Sequence, residues 1–284
     1  MKEIKTICVC GAGTMGSGIA QVAAQAGFNT IQFDLNEAVV EKSRQSIIAS
    51  LSKLVDKGRL NAEEKASILS RLLFTSSIEA CKADLVIEAI IEKKEAKLGL
   101  FQQLANINDQ DAIFATNTSS ISISAIAEDL PNPERVVGMH FFNPAPLMKL
   151  VEVIQANQTS QETIDTTIAI TKKMQKTPVL CKDAPGFIVN RVARHFYLEA
   201  MRFVEKEQAD IESIDQLMEA SGFKMGPFKL MDLIGMDINY GVSQIVWEAL
   251  DKPERLTPSP LQRAKVEAGE LGRKTGKGFY GYGA

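Results

Sequence analysis

The sequence predicts a doubly wound α/β sheet, mostly parallel, with a projecting helical hairpin, followed by an all-α C-terminal domain. Three observations carry that prediction. Up to about residue 180, runs that are apolar throughout alternate with helical patterns, and such runs mark strands covered on both faces, as in parallel sheets. A glycine pattern, "GAGTMG" at 11–16, ends the first run and opens the first helix. Beyond residue 185 no convincing strand remains.

The strand-like runs, in order, are "TICVC", "TIQFD", "DLVIEAII", "AIFAT", "RVVGMHFF" and "KLVEVI". Between the first two, Met15, Ile19, Val22, Ala23 and Ala26 recur at helical spacing, and Gly27 closes the helix as a C-terminal cap. This is the βαβ signature. The connection over residues 37–71 is too long for a simple crossover. It reads as two helices around "DKGRLNAEEK", an antiparallel hairpin projecting from the sheet. At "KDAPGF" a helix is expected to start, with Asp183 as its cap and Pro185 in its first turn. Helices then follow, broken at "ASGFKMGPF" and "DKPERLTPSP". The expected domains are therefore 1–184 and 185–284.

Bulk properties narrow the function classes. A net charge of −3 gives no electrostatic footprint for nucleic acid or an anionic membrane. No apolar run approaches the roughly 20 residues that span a bilayer. The N-terminal "MKEIKTICVCGAG" enters a strand at once and has no small-residue cleavage site, so no signal peptide is expected. The four cysteines, Cys8, Cys10, Cys81 and Cys181, are not spaced as metal ligands, and no metal is expected. Cys8 and Cys10 face one side of a central strand as small core residues. A reduced, cytoplasmic setting fits best.

The glycine pattern is Gly11-x-Gly13-x-x-Gly16, with Ala12, Thr14 and Met15 between. Its place between strand and helix is the context that a Rossmann-type dinucleotide site requires. Gly11 permits the tight turn, Gly13 lets backbone approach a pyrophosphate, and Gly16 lets helix and strand pack closely. The helix N-terminus offers unpaired N–H groups to the phosphates. Asp34 ends the next strand where a ribose-binding acid belongs. Leu35 and Asn36 follow, not an arginine, so a 2′-phosphate would meet an uncompensated carboxylate. NAD, not NADP, is the expected cofactor. The alternative is a glycine turn with a capping aspartate and no ligand.

The chain has two histidines. His140 sits in an apolar run that ends at Asn143-Pro144, and the next run carries one carboxylate, Glu152. A buried histidine needs a hydrogen-bond partner. Two strands joined by a short turn can supply Glu152, which fixes the tautomer and leaves the other nitrogen to take a proton. Oxidation of a secondary alcohol needs such a base, yet a satisfied core histidine fits these residues equally well.

"NTSS" at 117–120, "HFFNP" at 140–144, "MKLVEVI" at 148–154, "DAPGFIVNR" at 183–191, "GAGTMG" and the terminal "GRKTGKGFY" together resemble the L-3-hydroxyacyl-CoA dehydrogenase family. The resemblance covers essentially the whole chain. It is closest to the stand-alone bacterial 3-hydroxybutyryl-CoA dehydrogenases, because the chain stops just after "GFYGY". It implies NAD-dependent interconversion of L-3-hydroxyacyl-CoA and 3-ketoacyl-CoA, with His140 as general base and Glu152 its partner. Ser119 would bond the substrate oxygen near the nicotinamide, and Asn190 would hold the thioester side. Glu92, Lys97, Asn143 and Lys274 match cofactor contacts of the family. Taken alone, Glu92 and Lys97 read as structural surface charges, Ser119 as a helix start, and Asn190 as a capping or core amide. Thr116 stands where the family pattern has serine and keeps the hydroxyl. Ser50, Lys53 and Lys57 share one face of the hairpin. By the resemblance Ser50 and Lys57 would meet CoA, with Lys53 the weaker candidate; alone they are a solvated basic face. The family's habit adds a homodimer through the C-terminal domain. Two other readings stay open: an enzyme for another hydroxyacyl-CoA, such as 3-hydroxyadipyl-CoA, and a non-enzymatic, crystallin-like NAD-binding protein.

Overall fold

A computed structural model describes residues 3–283. Positions 1, 2 and 284, the outer ends of the two expected domains, lie outside the described residues. The chain forms two compact units, Met1–Asp183 and Ala184–Ala284.

In the first unit, β1 (Thr6–Cys10) runs through the glycine turn into α1 (Thr14–Gln25) and back through β2 (Asn29–Phe33). The hairpin is α2 (Glu37–Asp56) and α3 (Ala62–Ser70). Asn61 and Glu64 form a capping box that starts α3, each side chain taking the other's backbone N–H. Then come β3 (Leu72–Thr75), β4 (Leu85–Glu88), α4 (Lys94–Ala105), β5 (Ile113–Thr116), α5 (Ile123–Ala127) and β6 (Val136–Phe141). The unit closes with β7 (Leu150–Gln155), α6 (Gln161–Lys173) and β8 (Thr177–Lys182).

The sheet order is β3-β2-β1-β4-β5-β6-β7-β8. Strands β1 to β6 are parallel, β7 is antiparallel to β6, and β8 is parallel to β7. Chain order reverses between β1 and β4, the switch point at which open α/β sheets bind ligands beyond the strands' carboxyl ends. β1 and β4 are buried almost throughout, as their unbroken apolar runs require. Cys8 and Cys10 face one side of β1, with their sulfurs 3.7 Å apart.

Two strands were not among the expected runs. β3 is a four-residue edge strand, and β8 is an edge strand containing Pro178, a residue tolerated at a sheet edge because it donates no ladder bond. The expected cap at Asp183 is also corrected. Its carboxylate accepts from Ser122 Oγ and Ser124 N, both at 2.7 Å, and so fixes the start of α5. The next helix, α7 (Val189–Glu205), begins four residues after Pro185 and has no side-chain cap.

In the second unit α7 is followed by α8 (Ile211–Ala220), α9 (Pro227–Ile234), α10 (Met236–Ala249) and α11 (Pro260–Glu267). Tyr197, Leu198, Met201, Phe228, Met231 and Val246 form its core. Two buried aspartates explain the terminal motif. Asp232 accepts from the backbone N–H of Phe279 at 2.9 Å and Tyr280 at 3.0 Å, and from the Tyr282 hydroxyl at 3.0 Å. Asp215 takes the N–H groups of Phe228 and Lys229, at 2.9 and 3.0 Å, and the Tyr280 hydroxyl at 2.8 Å. A Cβ on Gly278 would lie 2.1 Å from Asp232 Oδ1, so this docking admits only glycine. Among the described residues no helix is long and apolar enough to cross a membrane.

Candidate active site

The glycine turn is built by three different constraints. Gly11 has φ +100°, and a Cβ there would meet the Ala89 carbonyl oxygen at 2.5 Å. A Cβ on Gly16 would lie 1.7 Å from the Gly11 carbonyl oxygen, so α1 can pack on β1 only with glycine. At Gly13 an added Cβ would meet nothing within 4 Å, and φ is −70°. The chain itself does not demand glycine at 13; the space over it is open. Below that space α1 starts without a side-chain cap and without an acidic residue in its first turn. Ala12, Thr14 and Met15 complete the turn, and the amino-terminal N–H groups are available to an anion.

Asp34 stands 22 residues from Ala12, whose N–H it accepts at 2.9 Å, while its other oxygen takes Asn36 N–H at 3.0 Å. A cleft of 740 Å³ opens beside it, at the carboxyl ends of β1, β2 and β4, lined by Leu35, Val39, Ile91, Ala96 and Leu100 among others. Among the described residues no lysine or arginine lines this cleft, and two carboxylates do, Asp34 and Glu95. An open glycine, an uncapped helix start and a carboxylate at the strand end together fit a dinucleotide without a 2′-phosphate.

His140 and Glu152 face each other across the antiparallel pair β6–β7. Nδ1 lies 2.7 Å from Glu152 Oε2, and both residues are buried, at 6% and 1% exposure. A carboxylate that only accepts here would put the ring proton on Nδ1 and make Nε2 the basic nitrogen. Asn117, just past β5, accepts the Phe141 N–H at 2.8 Å and locks the two strand ends together. Ser119 lies two residues further, partly exposed, with its own N–H given to Glu92 at 3.0 Å. Asn143 is exposed in the turn after β6.

Glu92 and Lys97 belong to a buried charge network that sequence reasoning missed in part. Lys97, at 1% exposure, places Nζ 2.7 Å from Glu88 Oε1 and 3.1 Å from Glu92 Oε2. Glu88 ends β4, fully buried, and its second oxygen accepts from Thr116 Oγ1 at 2.7 Å. Glu92 gathers Thr118 Oγ1, Ser119 N and Ser120 Oγ onto Oε1. Burial pushes its carboxyl up, but the Lys97 charge and these hydrogen bonds outweigh burial and hold it below the usual glutamate range. Lys97 is thus enclosed by its two carboxylates; it orders Glu92, and Glu92 orders the Ser119 segment. Thr116, the hydroxyl standing in for serine, satisfies the second oxygen of Glu88. The signal that could have found Glu88 is the one that found Glu152: a lone carboxylate in an apolar strand.

The other sequence-selected residues lie on other elements. On α2, Ser50 is partly exposed, and Lys53 and the C-cap Lys57 are exposed, along one face. In the second unit Asn190 lies in the first turn of α7, partly exposed. Lys274 grips Asp237, with Nζ 2.5 and 2.6 Å from its two oxygens. Among the described residues no group of three or more histidine, cysteine or carboxylate side chains can hold a metal ion.

Residues 6–184 match the model of the 3-hydroxyacyl-CoA dehydrogenase NAD binding domain, and residues 186–282 match that of the 3-hydroxyacyl-CoA dehydrogenase C-terminal domain. The chain is 45% identical over 286 residues to the 3-hydroxyadipyl-CoA dehydrogenase of Escherichia coli, which covers 100% of this chain and 60% of that longer protein. It is 42% identical to a probable 3-hydroxybutyryl-CoA dehydrogenase of Deinococcus radiodurans, covering 96% of this chain and 99% of the relative. Among solved structures, the (S)-3-hydroxybutyryl-CoA dehydrogenase of Ralstonia eutropha superposes with a TM-score of 0.96 at 38% identity, covering 99% of this chain and 100% of that one. The chain belongs to the 3-hydroxyacyl-CoA dehydrogenase family, its first unit that family's NAD-binding domain and its second the family's C-terminal domain.

Proposed function

We propose that the protein interconverts L-3-hydroxyacyl-CoA and 3-ketoacyl-CoA with NAD, and that 3-hydroxybutyryl-CoA and acetoacetyl-CoA are its substrate pair. The observation that carries this reading is the buried His140–Glu152 pair. It stands at the carboxyl edge of β6, the same sheet edge that bears the glycine turn. A dinucleotide-binding module without chemistry needs no histidine oriented by a buried carboxylate.

Gly11 to Gly16 and Asp34 hold the cofactor's pyrophosphate and adenosine ribose. Glu92, ordered by Lys97, and Asn143 hold its nicotinamide end, and Lys274 is a further cofactor contact. Bound NAD supplies the two-electron acceptor. His140 Nε2 takes the proton from the 3-hydroxyl as the alcohol is oxidised, and Glu152 steadies the imidazolium that results. In the reverse direction His140 returns that proton to the developing alkoxide. Ser119 donates to the substrate oxygen, and Asn190 holds the thioester side. Ser50 and Lys57 of the hairpin, with Lys53 beside them, meet the coenzyme A portion.

A second substrate reading has its own support: the E. coli relative, at 45% identity, is named for 3-hydroxyadipyl-CoA. Rates with acetoacetyl-CoA, longer 3-ketoacyl-CoAs and 3-ketoadipyl-CoA, each with NADH and with NADPH, separate the two. The proposal expects acetoacetyl-CoA and NADH to lead; a clear preference for the dicarboxylic substrate moves the assignment to the second reading.

The same proposal extends to assembly and location. The helical unit leaves Val192 and Leu217 each 66% exposed and Ile238 53% exposed, and helices with apolar residues on two faces bury one against a partner. A homodimer through this unit is the expected assembly, and sedimentation showing only monomer at micromolar concentration would refute it. The reduced, largely buried cysteines suit the cytoplasm.

A further inference from the structure

The turn between β6 and β7, residues 142–149, carries Asn143 and joins the strands that bear His140 and Glu152. Its own hydrogen bonds are few: Leu147 N and Met148 N both donate to the Pro144 carbonyl at 3.0 Å. One side of it rests on α1, where a Cβ on Gly18 would stand 3.1 Å from Ala145 Cβ and from Pro146 Cδ. The other side is held from the start of β8. Lys176, at the residue before β8, donates from Nζ to the carbonyls of Ala145 at 2.6 Å and Met148 at 2.8 Å, with Pro146 O at 3.5 Å. Its neighbour Thr177 donates N–H to the Lys149 carbonyl at 2.7 Å. The ammonium is half-buried, and burial holds it below the usual lysine range.

We propose that Lys176 is a positioning residue for the reaction: its ammonium pins the 142–149 turn from the β8 side, and so sets Asn143 against the cofactor and the closing of β7 onto β6 that brings Glu152 to His140. A charged donor reaching two carbonyls of an irregular turn fixes it more firmly than neutral bonds would. An exposed lysine serving only solubility would have no reason to turn inward to backbone oxygens 28 to 31 residues away. The inference rests on the dehydrogenase reading given above.

The test is to measure NADH affinity by direct binding, and kcat with acetoacetyl-CoA, in Lys176→Met, Lys176→Arg and Asn108→Ala. Methionine keeps the aliphatic stem and removes the charge. Asn108 is the stability control: it bonds Ala83 N, Cys81 O and Leu104 O at the amino ends of the strands. Lys176→Met should weaken NADH binding by about 10-fold, the equivalent of one charge-assisted bond, and lower kcat. Lys176→Arg should restore most of both. Asn108→Ala should lower the melting temperature and leave both unchanged. Should Lys176→Met not fold, Lys176→Gln, which keeps a donor but not the charge, is read in its place. Unchanged NADH affinity and kcat in the charge-deleted variant, or equal losses in Asn108→Ala, overturn the proposal. A wild type that binds NADH but turns over no 3-ketoacyl-CoA would sink the substrate reading and leave the binding comparison intact.

Discussion

Replacing Lys97 with methionine isolates the buried charge network beneath Ser119. The aliphatic stem survives, while Glu88 Oε1 loses a partner at 2.7 Å and Glu92 Oε2 one at 3.1 Å. Glu88 is 0% exposed, so its charge has no water to turn to. Removing one partner of a buried pair leaves the other charge uncompensated and costs about 3–5 kcal/mol. The Glu92 side chain, 38% exposed, is partly screened, and most of the penalty falls on Glu88. The pH dependence carries a sign. In the wild type Glu92 titrates below its ordinary value. Its stabilising contribution is therefore present above the usual glutamate range and is lost as pH falls through the lowered value. Without Lys97, burial is no longer outweighed at Glu92, which takes up a proton more readily, and the penalty should shrink as pH falls. Urea unfolding of both proteins at about pH 7.5 and about pH 5 reads this directly. A difference below about 1 kcal/mol at the higher pH, or one that does not shrink at the lower pH, would refute the reasoning.

Two further predictions concern the nucleotide site. Asp34→Ala should weaken NADH binding by about 10- to 100-fold, the worth of a charge-assisted hydrogen bond; calorimetry showing unchanged affinity, or equal use of NADPH by the wild type, would remove Asp34 from the ribose. Gly13→Ala should fold normally and bind NADH poorly, whereas Gly16→Ala should fail to fold, because its Cβ would lie 1.7 Å from the Gly11 carbonyl oxygen. Gly13→Ala with wild-type NADH affinity would show that the open space is not a phosphate's.

Much of the fold was legible because its signals are local. Continuous apolar runs marked β1, β2, β4, β5, β6 and β7, and the over-long connection marked the α2–α3 hairpin. What escaped was short or held by distant partners. β3 has four residues, and Pro178 disguises β8. Asp183 looked like the cap of the following helix, yet its partners are Ser122 and Ser124, 61 and 59 residues back. Lys97 looked like a surface charge because its buried partner, Glu88, lies nine residues away across a strand-to-helix turn, a spacing that no helix-face rule pairs. Asp215 and Asp232 drew no notice, although their bonds to the terminal segment fix it. His140 and Glu152 could be singled out because each is a lone ionisable group in an apolar run.

The most direct test of the proposed chemistry is kcat for acetoacetyl-CoA reduction in His140→Ala, Glu152→Gln, their double mutant and His195→Ala, with NADH affinity measured alongside. His195 is exposed on α7 and serves as the control. If His140 Nε2 moves the proton, His140→Ala should lower kcat by about 10²–10⁴ and leave NADH affinity nearly unchanged. Glu152→Gln should also lower kcat, and the double mutant should be little worse than His140→Ala, because the two side chains act as one unit. Near-normal turnover in a folded His140→Ala, with His195→Ala inactive, would contradict this and make His140 a core histidine satisfied by Glu152.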